Sequence, residues 1–169
     1  MDDKVLIESY YKEEWGNPCH DERDHFMYLL MESMSCGLSW NLMLKKREIF
    51  RQSFSGFDPV KVAAFDDADV ERIYNTEGMI RSERKIRGMI NNARCFVNIE
   101  KEIGSFDRYI WGFTNGKVVV YPSHKTSPVT RNELSDRVAK DLKRRGFKYV
   151  GSVIVYSHLQ GIGVIDDRF

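Results

Sequence analysis

The apolar residues Phe26, Leu29, Leu30, Met31 and Met34 fall at helical spacing and cover most of the circumference of one helix. Such a helix is an interior element and sets the plan of the chain as helix packed on helix. Asp21 and Asp24 bracket its start, and Gly37 is a natural stop. Glu32 lies inside the run. An ionised carboxylate among apolar neighbours requires a partner or a ligand, so this glutamate is the first candidate for function.

Helix signals continue along the chain. Ser39 is placed to cap a second helix carrying Leu42, Leu44, Ile49 and Phe50. Asp58-Pro59 is a cap followed by proline at the first helical position, so Val60 to Phe65 begins a third. Asp66 to Tyr74 reads as a short fourth. Ser82 opens a longer one, with Ile86, Met89, Ile90, Ala93 and Val97 at helical spacing. Ser105 to Phe113 is a short aromatic helix, and two more close the chain at about Arg131 to Arg145 and Ser152 to Gln160. The only strand-like run, Val118 to Tyr121, stands alone and is not expected to make a sheet. Ser123 to Thr130 is polar, proline-bearing and read as a loop. The fold class is all-α: a single helical domain over residues 1–169 with about eight helices.

Composition narrows the function. The net charge of the 169 residues is +1, so no global field attracts nucleic acid and any such affinity must be local. No apolar run is long enough to span a membrane, and the N-terminal Met1-Asp2-Asp3-Lys4 lacks a signal-peptide pattern. Cys19, Cys36 and Cys95 are odd in number and scattered, which suits reduced thiols in the cytoplasm better than disulfides or a zinc site. Positive charge is concentrated in three places: Lys45 to Arg47, Arg81 to Arg94, and Lys140 to Lys148.

The last of these abuts Phe147-Lys148-Tyr149-Val150-Gly151, between a basic helix and an apolar one. Gly151 would let the backbone turn and approach a phosphate closely. The free N–H groups of Ser152, Val153 and Ile154 would point at it from the helix N-terminus, with Lys148 beside them. The segment resembles the helix-hairpin-helix of a large DNA-repair superfamily, with Tyr149 where the first glycine usually stands.

Several motifs in order extend this resemblance to one family. Tyr10 to Gly16, Glu32 to Trp40, Leu44 to Glu48, Phe57 to Ala63 and Lys143 to Gly151 resemble the 3-methyladenine DNA glycosylase I family. The resemblance implies a monofunctional base-excision enzyme acting on double-stranded DNA with alkylated bases, with no cofactor and no obligate protein partner. It implies that Tyr10 and Trp40 wall the base pocket and that Glu32 contacts the base as the catalytic carboxylate. Gly37 and Leu38 suit the wedge that fills the vacated stack. A cationic base such as N3-methyladenine is favoured by a buried carboxylate and aromatic faces. Trp15 is read as structural.

The chain departs from the family pattern in places. The zinc that commonly ties the family's two ends together is not expected, because Tyr11 stands where a histidine is usual, Arg168 is near the distal histidine position, and the N-terminal cysteine has no counterpart. Met34-Ser35-Cys36 replaces the family's Gln-Gln-Ala before Gly37, which leaves room for altered specificity. The alternative reading is accordingly a non-catalytic or altered-specificity damage-binding relative on the same fold. Asp166 and Asp167 lie too close to Gly151 to stand in for the catalytic aspartate of the wider superfamily. Strand cleavage is not expected, since Val153 occupies the position of the Schiff-base lysine in bifunctional relatives.

Overall fold

The computed structural model describes residues 2–169. It contains ten α-helices: α1 (Asp3–Glu13), α2 (Glu22–Met34), α3 (Trp40–Lys45), α4 (Arg47–Ser53), α5 (Pro59–Ala63), α6 (Asp67–Tyr74), α7 (Glu83–Ile103), α8 (Phe106–Gly112), α9 (Glu133–Arg144) and α10 (Ser152–Gly161). A single 3-10 turn, Ser55–Phe57, links α4 to α5. The all-α reading holds, and the expected eight helices become ten for two reasons. The helix α1, which buries Tyr10 alone and so carries no strong apolar stripe, is not among the helices expected from the sequence. The helix expected from Ser39 through Phe50 breaks at Lys46, whose φ of −100° and ψ of 4° end α3 and start α4.

Helix starts follow local chemistry. Asp2, Asp21, Ser39, Asp58, Asp66, Ser82, Ser105 and Asn132 each accept a hydrogen bond from a backbone N–H of the first turn they precede. Two helices lack such a cap: α4, which continues from α3, and α10, preceded by Gly151. The first turn of α10 therefore keeps its amides open.

The apolar all-round run behaves as its pattern requires. From His25 to Met34 every residue except Tyr28 is buried. The helix α2 lies against α3, α7, α8 and α10. Phe26 meets Phe96 of α7 edge-on at 5.2 Å, and Phe96 stacks on Phe106 of α8 at 4.5 Å. Glu22, at the start of α2, accepts from the N–H groups of Phe106 and Asp107 at 2.9 and 2.7 Å and so fixes α8.

The strand-like run is not isolated, contrary to expectation. β1 (Val119–Val120) pairs in parallel with β2 (Ile165–Asp166), with Val119 opposite Ile165. Its partner is a two-residue stretch after Gly163, too short to carry a strand signature. The ladder runs on through Tyr121 N–H to Asp166 O (2.9 Å) and His124 N–H to Asp167 O (2.7 Å). These bonds hold the following loop against the C-terminal end of α10.

Candidate base pocket and DNA-facing hairpin

A cavity of about 360 Å³ opens where α1, α2, α3 and α10 converge. Tyr10, Tyr11, Trp15, Glu32, Trp40, Ser157 and Gln160 line it, and the loop adds His124, Pro128 and Val129. Tyr10, Glu32 and Trp40, singled out from the sequence, come together here. The Tyr10 and Trp40 rings lie 5.6 Å apart at 51°. Behind Tyr10, Arg47 pairs with Glu14 at 2.8 and 3.1 Å, and Tyr28 donates to Glu14 at 2.6 Å. This network fixes the Tyr10 wall from outside the cavity, with the Arg47 guanidinium 5.8 Å from the ring centroid.

Glu32 is 5 % exposed. One protein donor reaches its carboxyl group, the Ser157 hydroxyl, at 3.0 Å from Oε1. Burial pushes its pKa up to about 8, against a smaller opposing effect of the Ser157 hydrogen bond. No cation is paired with it among the described residues. Burial and, after it, the charge of Glu32 hold the Tyr10 hydroxyl well above the usual tyrosine range. The Trp40 indole N–H is buried without an acceptor among the described residues. The pocket thus joins flat apolar walls to a desolvated acid with room for a positive charge.

Gly37 and Leu38 lie on the turn between α2 and α3. Gly37 has φ +80° with open space where a Cβ would stand, and Leu38 is exposed. Lys85 of α7 donates to the carbonyls of Met34 and Cys36 at 2.9 and 2.5 Å and pins this turn. Met34 and Ser35 are buried, and none of Met34, Ser35 and Cys36 lines the cavity.

The hairpin between α9 and α10 differs from expectation in one respect. Gly151 has φ −62° and ψ 163°, ordinary extended backbone, so no left-handed turn needs glycine there. The left-handed positions are Gly146 (φ 96°) and Tyr149 (φ 59°). The Tyr149 ring packs where Gly88 of α7 leaves room, since a Cβ at residue 88 would stand 2.9 Å from the ring. What Gly151 contributes is bareness: a Cβ there would meet nothing within 4 Å, so the backbone is open to approach. Asn92 of α7 brackets the turn, donating to Lys148 O at 2.9 Å and accepting from Lys148 N–H at 2.8 Å. Val153 and Lys148 face solvent. The Ser152 hydroxyl is turned inward, donating to Asp136 at 2.6 Å, so only its backbone N–H remains available.

Each of the three basic clusters is partly committed inside the protein, although Arg81 and Arg84 of the second are exposed and form no ion pair among the described residues. Arg47 is bound to Glu14, Lys46 reaches Gly78 O, Arg87 pairs with Asp67 and Glu83, and Arg94 donates to Ala63 O and Phe65 O. In the hairpin cluster, Arg144 and Arg145 are bound to Asp141, while Lys140, Lys143 and Lys148 are exposed and form no ion pair among the described residues.

The residues near the expected family zinc position do not suit a metal. Tyr11 offers a phenol, and Arg168 is bound to Asp166 at 3.1 Å with its guanidinium against Gly16. No group of three or more His, Cys, Asp or Glu is gathered in a metal-holding arrangement among the described residues. The ends are joined instead by Gly16 N–H to Gly161 O (3.1 Å) and Cys19 N–H to Ile162 O (2.9 Å). No helix is long and apolar enough to cross a membrane among the described residues.

Sequence reasoning missed Ser157, Gln160, His124 and Lys85. Ser157 and Gln160 carried a signal, as polar residues three apart on one face of a largely apolar helix. His124 and Lys85 depend on tertiary contacts that no local pattern reports.

An aromatic cavity around one buried acid, beside an open helix N-terminus on a basic hairpin, defines the class. The chain matches the methyladenine glycosylase family over residues 1–169, and it belongs to that family. It is 41 % identical to DNA-3-methyladenine glycosylase 1 of Escherichia coli over 96 % of this chain and 88 % of that one. It is 36 % identical to the DNA-3-methyladenine glycosylase of Haemophilus influenzae, covering 94 % of this chain and 86 % of that one. The 3-methyladenine DNA glycosylase I of Staphylococcus aureus, solved to show the structural basis of 3-methyladenine recognition, superposes with a TM-score of 0.93 at 32 % identity, covering 97 % and 88 % of the two chains.

Proposed function

We propose that the protein is a monofunctional repair glycosylase of one catalytic domain that extrudes 3-methyladenine from alkylated double-stranded DNA and releases it by hydrolysis. The observation that carries this reading is Glu32, a buried acid with a single hydroxyl partner, set in a cavity walled by Tyr10 and Trp40. Without ligand, desolvation favours its neutral form. A methylated base is already cationic and entering it ionises the carboxyl group, which then attracts the charge through a water-poor cavity. Unmethylated adenine brings no charge to offset that cost. Leu38, exposed on a turn that Lys85 holds, enters the duplex where the base has left. The open amides of Ser152 and Val153, approached past Gly151 and flanked by Lys148, hold a backbone phosphate.

The base is a good leaving group, so the N-glycosidic bond breaks as positive charge passes from base to sugar, and water completes the displacement. Glu32 orients the base and stabilises charge and is not asked to supply a proton. Val153 carries no amine, so the product is an abasic site with the strand intact. The enzyme works as one chain in the cytoplasm, a setting that suits its three free thiols.

Incubation with methylated duplex, followed by analysis of released bases, tests the reading. Free 3-methyladenine and an uncut strand are expected. Tight binding to the lesion without release would favour the non-catalytic alternative. Borohydride trapping of a protein–DNA adduct, lost on Lys148→Gln, would overturn the monofunctional assignment.

A further inference from the structure

Two polar side chains of α10 face the pocket together. Ser157 and Gln160 are three residues apart, hence neighbours on one helix face, and both line the cavity. Ser157 supports Glu32. Gln160 is held from behind by a residue outside the cavity lining, Asp167, which is 2 % exposed. Gln160 Nε2 donates to both carboxylate oxygens of Asp167, at 3.0 and 2.8 Å, and the Tyr156 hydroxyl donates to Oδ2 at 2.7 Å. The Asp167 main-chain carbonyl accepts from His124 Nδ1 at 2.9 Å.

This arrangement sets the polarity of the amide. A carboxylate only accepts, so Gln160 must turn its NH₂ group towards Asp167. The planar amide then directs Oε1 the opposite way. No protein donor meets Oε1 among the described residues, and it is not sealed from solvent. The residues lining the pocket therefore offer a second acceptor, neutral and oriented by Asp167, in addition to the acid of Glu32.

We propose that Gln160 is a specificity-determining residue whose Oε1 accepts a hydrogen bond from the exocyclic amine of the extruded base, and that Asp167 is a positioning residue that sets the direction of the Gln160 amide. The inference rests on the base-release reading above. In a 3-methylated adenine joined to deoxyribose, no ring nitrogen carries a hydrogen. The exocyclic amine is the base's only N–H donor, and it has two hydrogens. Two acceptors match two hydrogens, one taken by Glu32 and the other by Gln160. Gln160 does not sense methylation, which is the task of Glu32. It separates bases that carry an amine from those that lack one, since a bound base without the amine covers this acceptor and leaves it unpaired.

Titration calorimetry with free 3-methyladenine and with 3-methylpurine, which lacks the amine, tests both roles. Wild type should prefer 3-methyladenine. Gln160→Met keeps length and removes the acceptor, and should lower that preference about tenfold by weakening 3-methyladenine alone. Asp167→Asn offers an NH₂ group as well as a carbonyl, releases the amide from one orientation, and should erode the same preference. In the double variant the preference should be no lower than in Gln160→Met, because the two residues act through one group. An unchanged preference in folded Gln160→Met overturns the proposal even if Asp167→Asn fails to fold. Additive losses, or equal losses for both bases in Asp167→Asn, overturn the positioning role. Wild type that binds neither base sinks this inference and the base-release reading together, whereas wild type that prefers 3-methyladenine with an unaffected Gln160→Met sinks this inference alone.

Discussion

The pocket and the hairpin offer opposite chemistries to a charged ligand, and they share one helix. At the pocket end of α10, an acid is desolvated, its pKa pushed up to about 8, and surrounded by side chains that other residues hold in place. At the hairpin end, the same helix begins at a bare glycine, and the groups on offer are backbone amides and solvated lysines. Side-chain chemistry in a dry cavity selects one ligand and is sensitive to single atoms. Backbone amides on a surface donate to any phosphate and carry no sequence information. The comparison predicts that substitutions at one end of α10 leave the other end's readout unchanged.

The largest expected effect is at Glu32. Glu32→Gln keeps nearly the same shape and removes the anion. Release of 3-methyladenine from methylated duplex should fall about 100-fold, the scale of losing one electrostatic contact to a charged reacting centre. Affinity for undamaged duplex should not change, because the hairpin is intact. Release at the wild-type rate would remove Glu32 from the reaction, and a parallel loss of affinity for undamaged DNA would break the separation of the two ends.

The pH profile sharpens the same point. The free protein must lose a proton from Glu32 before the carboxylate meets a cationic base. kcat/KM should therefore rise about tenfold per pH unit below about 8 and level off above it. For stability the sign is reversed. The folded-state pKa is raised, so the stabilising effect of the bound proton is full below the ordinary carboxylate range and is lost as pH rises through about 8. Activity and stability should thus move in opposite directions across this window, and Glu32→Gln should flatten both curves.

At the other end of α10, Gly151→Val should weaken binding to undamaged duplex about tenfold and lower its salt dependence by about one phosphate contact. A Cβ at residue 151 meets nothing within 4 Å and would stand where the proposed phosphate approaches, so the fold should tolerate it. Binding of free 3-methyladenine should be unaffected. A folded variant with wild-type affinity and salt slope would remove the hairpin from the DNA interface.

How much of each region could be read from the sequence follows from the same contrast. Glu32 stood out because a carboxylate in an apolar run is locally anomalous, and the hairpin stood out because glycine and lysine punctuate it. The pocket's supporting shell was silent. In the sequence Asp167 lies too close to Gly151 for the catalytic aspartate of the wider superfamily, and its role depends on Tyr156 and Gln160, 11 and 7 residues earlier. The basic clusters misled for a related reason: Arg47, Arg87 and Arg94 look like DNA contacts in sequence, but the structure uses them on Glu14, Asp67 and main-chain carbonyls. The turn residue at the hairpin also differs from the reading: the left-handed backbone falls on Gly146 and Tyr149, while Gly151 is extended, and no local sequence signal places a left-handed turn on a tyrosine.

A smaller effect is expected at a buried residue between the two pocket-lining side chains of α10. His158 is buried with neither ring nitrogen partnered among the described residues, and burial, helped by the neighbouring His25, pulls its pKa down to about 3. The unfolded chain takes up this proton near the ordinary histidine value, 6.5, and the folded chain does not. Stability should fall as pH drops from about 6.5 towards 3, with a slope of up to about 1.4 kcal/mol per pH unit from this one group. Thermal melts of His158→Leu at pH 7 and pH 5 should show a smaller shift than wild type, and base binding at pH 7 should be unaltered. An equal shift would assign the acid sensitivity to other groups.

The smallest expected effect is none at all, on chelation. In the resembling family the chain ends are commonly joined by zinc, and removing such a metal would be expected to loosen the wall that Tyr11 and Trp15 give the pocket. Here the nearby side chains cannot take that part. Arg168 is a permanent cation that repels a second one, and its guanidinium is already bound to Asp166. Gly16 must remain bare for that guanidinium to lie on it, since a Cβ there would come within 2.8 Å of Nη1. Main-chain bonds from Gly16 and Cys19 to Gly161 and Ile162 make the join instead, at the end of α10 that bears Gln160. Chelator should therefore leave both melting temperature and 3-methyladenine affinity unchanged, and elemental analysis of untagged protein should find no stoichiometric zinc. Gly16→Val, which displaces Arg168 and strains a backbone at φ +83°, should lower the melting temperature and loosen the pocket wall without touching the hairpin's DNA affinity. One zinc per chain, or a melt that chelator shifts, would show that a metal rather than this hydrogen-bonded join holds the pocket end of α10.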